Sequence, residues 1–118
     1  MKYVRLISFT LGRVPQIPVS AVTIDLPHIV QEDDEAAWES YGDGSHFTQP
    51  GGRSTTFHEV ASLSKILNST LYLFFAPSQT LKGSLLLNEY EKYKTWHAKL
   101  PDIVQLSDNA APHVLTLQ

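Results

Sequence analysis

The chain has 118 residues, 42% apolar and 18% charged, values that fit one small globular domain and exclude a disordered segment. It has no cysteine, which excludes disulfides, thiolate metal sites and a cysteine nucleophile. The formal net charge is −3 without any basic block, so the electrostatic footprint of a nucleic-acid binder is missing.

The first element expected is a helix over 1–11. Val4, Ile7 and Leu11 share one stripe, flanked by Tyr3, Leu6 and Phe9, and Gly12 is placed to end it. The same basic stretch lacks a clean apolar core and a small-residue cleavage site, so it does not read as a secretory signal. A soluble, intracellular chain is expected.

A long loop region is predicted over 12–53. Pro15, Pro18 and Pro27 forbid a continuous helix. Val22, Ile24 and Leu26 alternate with polar residues, but a lone strand would have no sheet to join, so an extended loop is expected. Within the acidic run from Gln31 to Tyr41, one or two helical turns are expected around Ala36, Ala37 and Trp38. Asp33 or Asp34 would cap them and Gly42 would end them. The stretch from Gly42 to Arg53 holds four glycines and one proline and reads as flexible loop.

The strongest periodicity lies over 56–76. Phe57, Val60, Ala61, Ser64, Leu67, Leu71, Phe74 and Phe75 recur at helical spacing, with Leu63, Ile66 and Leu73 widening the stripe. Thr56 and Glu59 have the spacing of a capping box, and Pro77 stops the pattern. From Ile66 onward the segment is apolar on nearly every side, as a helix surrounded by other elements would be. A second helix is expected over 80–100, with Leu86, Tyr90, Tyr93, His97 and Leu100 on one face, Leu85 and Trp96 beside it, and Pro101 as its stop. Glu91 and Lys94 make an i,i+3 pair. A third helix is expected over 110–118, with Asp108 or Asn109 as cap and Pro112 in its first turn. The fold class is therefore all-α: a partial helical domain with two long antiparallel helices and a long N-terminal loop region. The first helical pattern begins at the chain start and the last stops mid-pattern, so a fragment with exposed apolar surface and a tendency to self-association is expected.

Chemistry-bearing motifs are sparse. The histidines are His28, His46, His58, His97 and His113. His58-Glu59 opens an H-E-x-x-H pattern, but Ser62 stands where the second ligand belongs. Asp33, Asp34 and Glu35 lack the alternating ligands of a calcium loop and read as a solvated helix start. The glycines at Gly42–Gly44 and Pro50–Arg53 read as turns. Asn68-Ser69-Thr70 matches a glycosylation acceptor but falls inside the apolar helix. Tyr72, Tyr90, Tyr93 and Trp96 follow helical spacing and read as core rather than as a ligand pocket. No acid, base or nucleophile arrangement is evident, so no catalytic, cofactor-binding or metal residue is assigned and no enzyme is expected.

Several segments line up with a known pattern. Arg5, Ser8, Gly12 and Arg13 fit a D-R-x-x-S-x-x-x-G-R-P run, with Val4 in place of the Asp and the proline displaced to Pro15. Ile17-Pro18, Asp25-Leu26-Pro27 and the acidic stretch Glu32 to Trp38 follow. Leu63-Ser64-Lys65-Ile66-Leu67 with Leu71-Tyr72 fits L-S-x-I-L-x-x-x-L-Y, and Trp96, Leu100 and Pro101 fit an L-x-x-W-x-x-x-L-P run that Lys92 matches poorly. His113-Val114-Leu115-Thr116-Leu117 looks like the start of a following helix. In this order the segments resemble the C-terminal part of the fungal-specific transcription factor domain, the all-helical regulatory middle homology region of zinc binuclear-cluster regulators of the xylanolytic-activator type. The resemblance implies a nuclear role in regulating transcription, exercised through protein partners or other parts of the same regulator. It implies no direct DNA contact by this segment and no membrane. Zinc would belong only to the family's six-cysteine cluster, for which this chain has no residues. The alternatives are a stand-alone helical protein-interaction module and a remnant enzyme subunit, the latter disfavoured because no catalytic arrangement is seen.

Overall fold

The structure is a computed structural model, and it describes residues 7, 10–38, 49–76, 80–106 and 111–117. In chain order the elements are α1 (Gln31–Glu35), β1 (Ala37–Trp38), β2 (Gln49–Pro50), α2 (Arg53–Phe75), α3 (Gly83–Ala98) and α4 (Pro112–Leu115), with 3-10 turns at Val19–Ala21 and Asp102–Val104. The fold is mostly helical, and its two long helices, α2 and α3, pack against each other as expected. Two compact units emerge: Met1–Asp25 with Ala61–Lys99, and Leu26–Val60 with Leu100–Gln118. The helix α2 runs through both.

In the first unit, Ile7, Thr10 and Leu11 are helical, and Gly12 adopts φ 61°, the left-handed conformation that ends a helix with least strain in glycine. The rest of the expected helix 1–11 lies outside the described residues. Further on, Tyr72 of α2 donates its hydroxyl to the Pro15 carbonyl at 3.0 Å, and Pro15 is buried. Burial along α2 supports the expectation of an enveloped helix: Arg53, Phe57, Lys65, Phe74 and Phe75 are exposed, and its other residues are buried or half-buried. It ends at Phe75, one residue short of the expected 76. The helix α3 is shorter than the expected 80–100, because Lys82 is still extended (φ −106°, ψ 139°) and Lys99 has left the helix.

The face of α3 also needs correction. Its residues removed from solvent are Leu86, Glu89, Tyr93 and Trp96, spaced three, four and three apart, the spacing of a helix seam. Tyr90 and His97, expected on that face, are exposed. An apolar reading of the sequence prefers Tyr90 to Glu89; the structure buries the carboxylate because hydroxyls meet it.

In the second unit, 26–30 carries neither helix nor strand, like 22–25 of the first, as expected for the portion of 12–53 that is loop. The acidic run differs from expectation. The helix α1 ends at Glu35 rather than near Gly42, Val30 precedes it without a side-chain cap, and Trp38 lies in β1, paired antiparallel with Gln49 while Ala37 faces Pro50. The expected cap residue Asp34 is instead spent on α2. That helix starts at Arg53, three residues before the expected Thr56, and its first turn is tied to the α1 segment. Gly51 N–H donates to the Ala36 carbonyl (3.0 Å) and Gly52 N–H to the Asp34 carbonyl (3.1 Å). Thr56 consequently sits inside the helix and its hydroxyl donates back to the Gly52 carbonyl at 2.6 Å, so it does not act as the N-cap of a box with Glu59. Gly52 has φ +57°, and a Cβ there would lie 3.3 Å from Ile103; both favour glycine. The expected helix 110–118 reduces to α4, one turn opened by Pro112 and followed by a turn through Leu117. Leu100, Val104, Ala111, Val114 and Leu117 are buried and form the apolar core of this unit.

Candidate functional site

Two buried carboxylates organise polar groups, one in each unit, and both act on α2. The first is Asp34, 6% exposed. Its Oδ1 accepts from the Thr55 backbone N–H at 2.9 Å and its Oδ2 from the Thr55 hydroxyl at 2.5 Å. The first N–H groups of a helix have no intrahelical acceptor, and an anion there also faces the positive end of the helix dipole. Asp34 therefore caps α2 from another part of the chain, and the expectation that Asp33, Asp34 and Glu35 form a solvated start fails at Asp34. Beside it, Ser54 accepts from Val30 N–H at 2.8 Å. His58 donates its Nδ1–H to the Pro27 carbonyl at 2.7 Å, and His113 donates Nε2–H to the Gly51 carbonyl. A carbonyl only accepts, so both contacts fix which ring nitrogen carries the proton.

The second carboxylate is Glu89, in the seam between α2 and α3. Its Oε2 lies 2.7 Å from Ser69 Oγ and 3.1 Å from Thr70 Oγ1. Its Oε1 accepts from Lys92 at 2.5 Å. Tyr93 OH meets Thr70 Oγ1 at 3.0 Å. Burial pushes the Glu89 carboxyl up, but the hydrogen bonds from Lys92, Ser69 and Thr70 and the Lys92 charge outweigh it, and the net direction is down from the ordinary value. The group is an ionised, fully engaged carboxylate. Its contacts lie close to the α2–α3 connection on both helices, as they must where the second helix folds back along the first.

The remaining sequence candidates are placed as follows. Asn68, of the glycosylation-like triplet, is 2% exposed in mid-helix, and Ser69 and Thr70 belong to the Glu89 cluster. His28 contributes its carbonyl to the Ser54 hydroxyl at 3.4 Å. His97 is exposed, edge-on to Trp96 with ring centroids 6.4 Å apart. His46 and Gly42–Gly44 lie outside the described residues. Of the four aromatic candidates, Tyr72, Tyr93 and Trp96 are half-buried, whereas Tyr90 is exposed beneath Lys94, whose Nζ lies 5.6 Å from the ring centre. Among the described residues, no three His, Asp or Glu side chains are grouped to hold a metal ion, and no helix is long and apolar enough to cross a membrane.

Sequence reasoning missed both carboxylates. Asp34 carries no local signal, since its partner lies 21 residues away. Glu89 did carry one: it stands three residues after Leu86 and four before Tyr93, and adjacent hydroxyls occur on the partner helix. The chain matches no family model, no curated protein and no solved structure.

Proposed function

We propose that this chain is part of a transcriptional regulatory domain of the fungal-specific type, a helical segment that modulates regulator output through protein contacts and does not read DNA. The observation that carries the proposal is the order of the motif run on helical elements. Gly12-Arg13 follows a helix end, Leu63 to Tyr72 lies on α2, and Trp96 closes α3 ahead of Leu100-Pro101. The absence of cysteine and the net charge of −3 are in keeping with a segment that leaves DNA to another part of the protein.

The test is to fuse the chain to a heterologous DNA-binding module in a fungal host and measure a reporter. A reproducible rise or fall against the module alone is expected. Unchanged output at equal nuclear abundance would overturn the proposal. The stand-alone interaction module is the second reading, favoured by exposed Leu87 and Tyr90 on α3 and Phe57 and Phe74 on α2. It predicts an unchanged reporter together with specific recovery of a partner unconnected with transcription.

A further inference from the structure

We propose that Glu89 is a positioning residue that selects the register in which α3 packs along α2, and that its role is specificity rather than net stability. Three observations lead there. First, the seam of α3 is Leu86, Glu89, Tyr93 and Trp96, three hydrophobic or aromatic side chains and one anion. Second, between Ile66 and Phe75 the polar side chains of α2 are Asn68, Ser69 and Thr70, together with Tyr72, whose hydroxyl is engaged by the Pro15 carbonyl. Apolar packing alone is non-directional and tolerates a slide of one turn, about 5.4 Å along the axis. A slide of one turn toward the C-terminal end of α2 would place the carboxylate against Leu73 and Phe74, whose side chains cannot donate to it, whereas a slide the other way would bring it to Ile66 and the exposed Lys65. A buried anion without a donor is strongly disfavoured, so the Ser69–Thr70 pair holds α3 against a slide toward Phe75.

Third, the hydroxyls do not need Glu89. Ser69 Oγ lies 2.8 Å from the Ile66 carbonyl and Thr70 Oγ1 lies 3.2 Å from the same oxygen. Each hydroxyl has one proton and two acceptors within reach, the carbonyl of its own helix and the carboxylate across the seam. The charge on Glu89 draws the protons across. Without the charge they return to Ile66, a back-bond that serine and threonine commonly make in helices. Lys92 is 43% exposed at its side chain and can turn to water. Replacing Glu89 by an apolar side chain of similar length therefore strands no buried donor, while it removes what distinguishes one register from the next. An amide should preserve the distinction, since its N–H can donate to the hydroxyl oxygens while their protons go to Ile66.

The absence of native cysteines permits a direct test. Spin labels would be attached to the full chain at Lys65→Cys and Thr95→Cys, two exposed positions in the same unit. The distance distribution would be measured by pulsed electron resonance in wild type, Glu89→Met and Glu89→Gln, with helix content read by circular dichroism. The expected result is one narrow distribution for wild type and Glu89→Gln. For Glu89→Met we expect unchanged helix content with a distribution broadened or split by about 5 Å, the rise of one turn. A narrow distribution for Glu89→Met would show that packing alone sets the register. Loss of helix content in Glu89→Met would show that the carboxylate bears stability instead. A broad distribution in wild type or in Glu89→Gln would remove the polar match as the selecting feature. Each of these three outcomes overturns the proposal.

Discussion

Asp34→Ala tests the reading of the α2 cap most directly. The carboxylate satisfies the Thr55 N–H at 2.9 Å and the Thr55 hydroxyl at 2.5 Å, and both Asp34 and Thr55 are buried. Losing a side-chain N-cap costs about 0.5–2 kcal/mol. Leaving a buried hydroxyl without its acceptor adds about 1–3 kcal/mol, reduced where water enters the space vacated by the side chain. The expected destabilisation is therefore about 3 kcal/mol. Asp34→Asn should cost less, about 1 kcal/mol, because its oxygen can still accept from the N–H while its amide donates to a reoriented Thr55 hydroxyl. Urea unfolding followed by circular dichroism would measure both, with Thr55→Val completing a double-mutant cycle. A coupling energy of about 1–2 kcal/mol between Asp34 and Thr55 is expected, as for neighbours in one buried network. Additive single mutants, or a loss under about 0.5 kcal/mol for Asp34→Ala, would place the carboxylate in solvent and refute the cap.

The lowered Glu89 carboxyl gives a pH dependence of known sign. Its contribution is complete above the ordinary value of 4.5 and is lost as pH falls through the folded-state value. The acid-side loss of stability should therefore shrink in Glu89→Gln, and identical acid profiles would refute the assignment. Trp96→Ala should cost about 2 kcal/mol, below the roughly 3–5 kcal/mol of a fully buried tryptophan, because Trp96 is half-buried in the seam; urea midpoints would report it. In a gel assay at physiological salt the chain should produce no sequence-specific shift of DNA, and a competitor-resistant shift would reveal a reader among its residues.

The long helices were legible because their signal is summed over many residues. Burial on most sides of α2 follows from its apolar composition, and Gly12 and Pro112 punctuate where their backbones require. Boundaries were less legible wherever a distant group decides them. The start of α2 at Arg53 depends on Asp34 and Ala36, which receive the N–H groups of Thr55, Gly52 and Gly51; Thr56 and Glu59 offered a plausible local cap that the longer-range one displaced. The pairing of Ala37 with Pro50 and Trp38 with Gln49 is a ladder too short to leave a period of two in the sequence, and helix propensity in the acidic run pointed the other way.

The candidate site was the least legible part, and the reason is physical. A hydrophobic pattern states that a face is buried but is nearly indifferent to where along the face its partner sits, since apolar contact is non-directional. A carboxylate and a hydroxyl are directional, and their separation must fall within hydrogen-bond reach. Asp34 meets Thr55 and Glu89 meets Ser69 and Thr70 at such separations, so each fixes a position that the surrounding leucines leave open. Residues that appear as exceptions to an amphipathic pattern are then the ones that carry positional information. It follows that Glu89, rather than the more hydrophobic Tyr90 beside it, is the residue of α3 whose replacement should alter arrangement without necessarily reducing helix content.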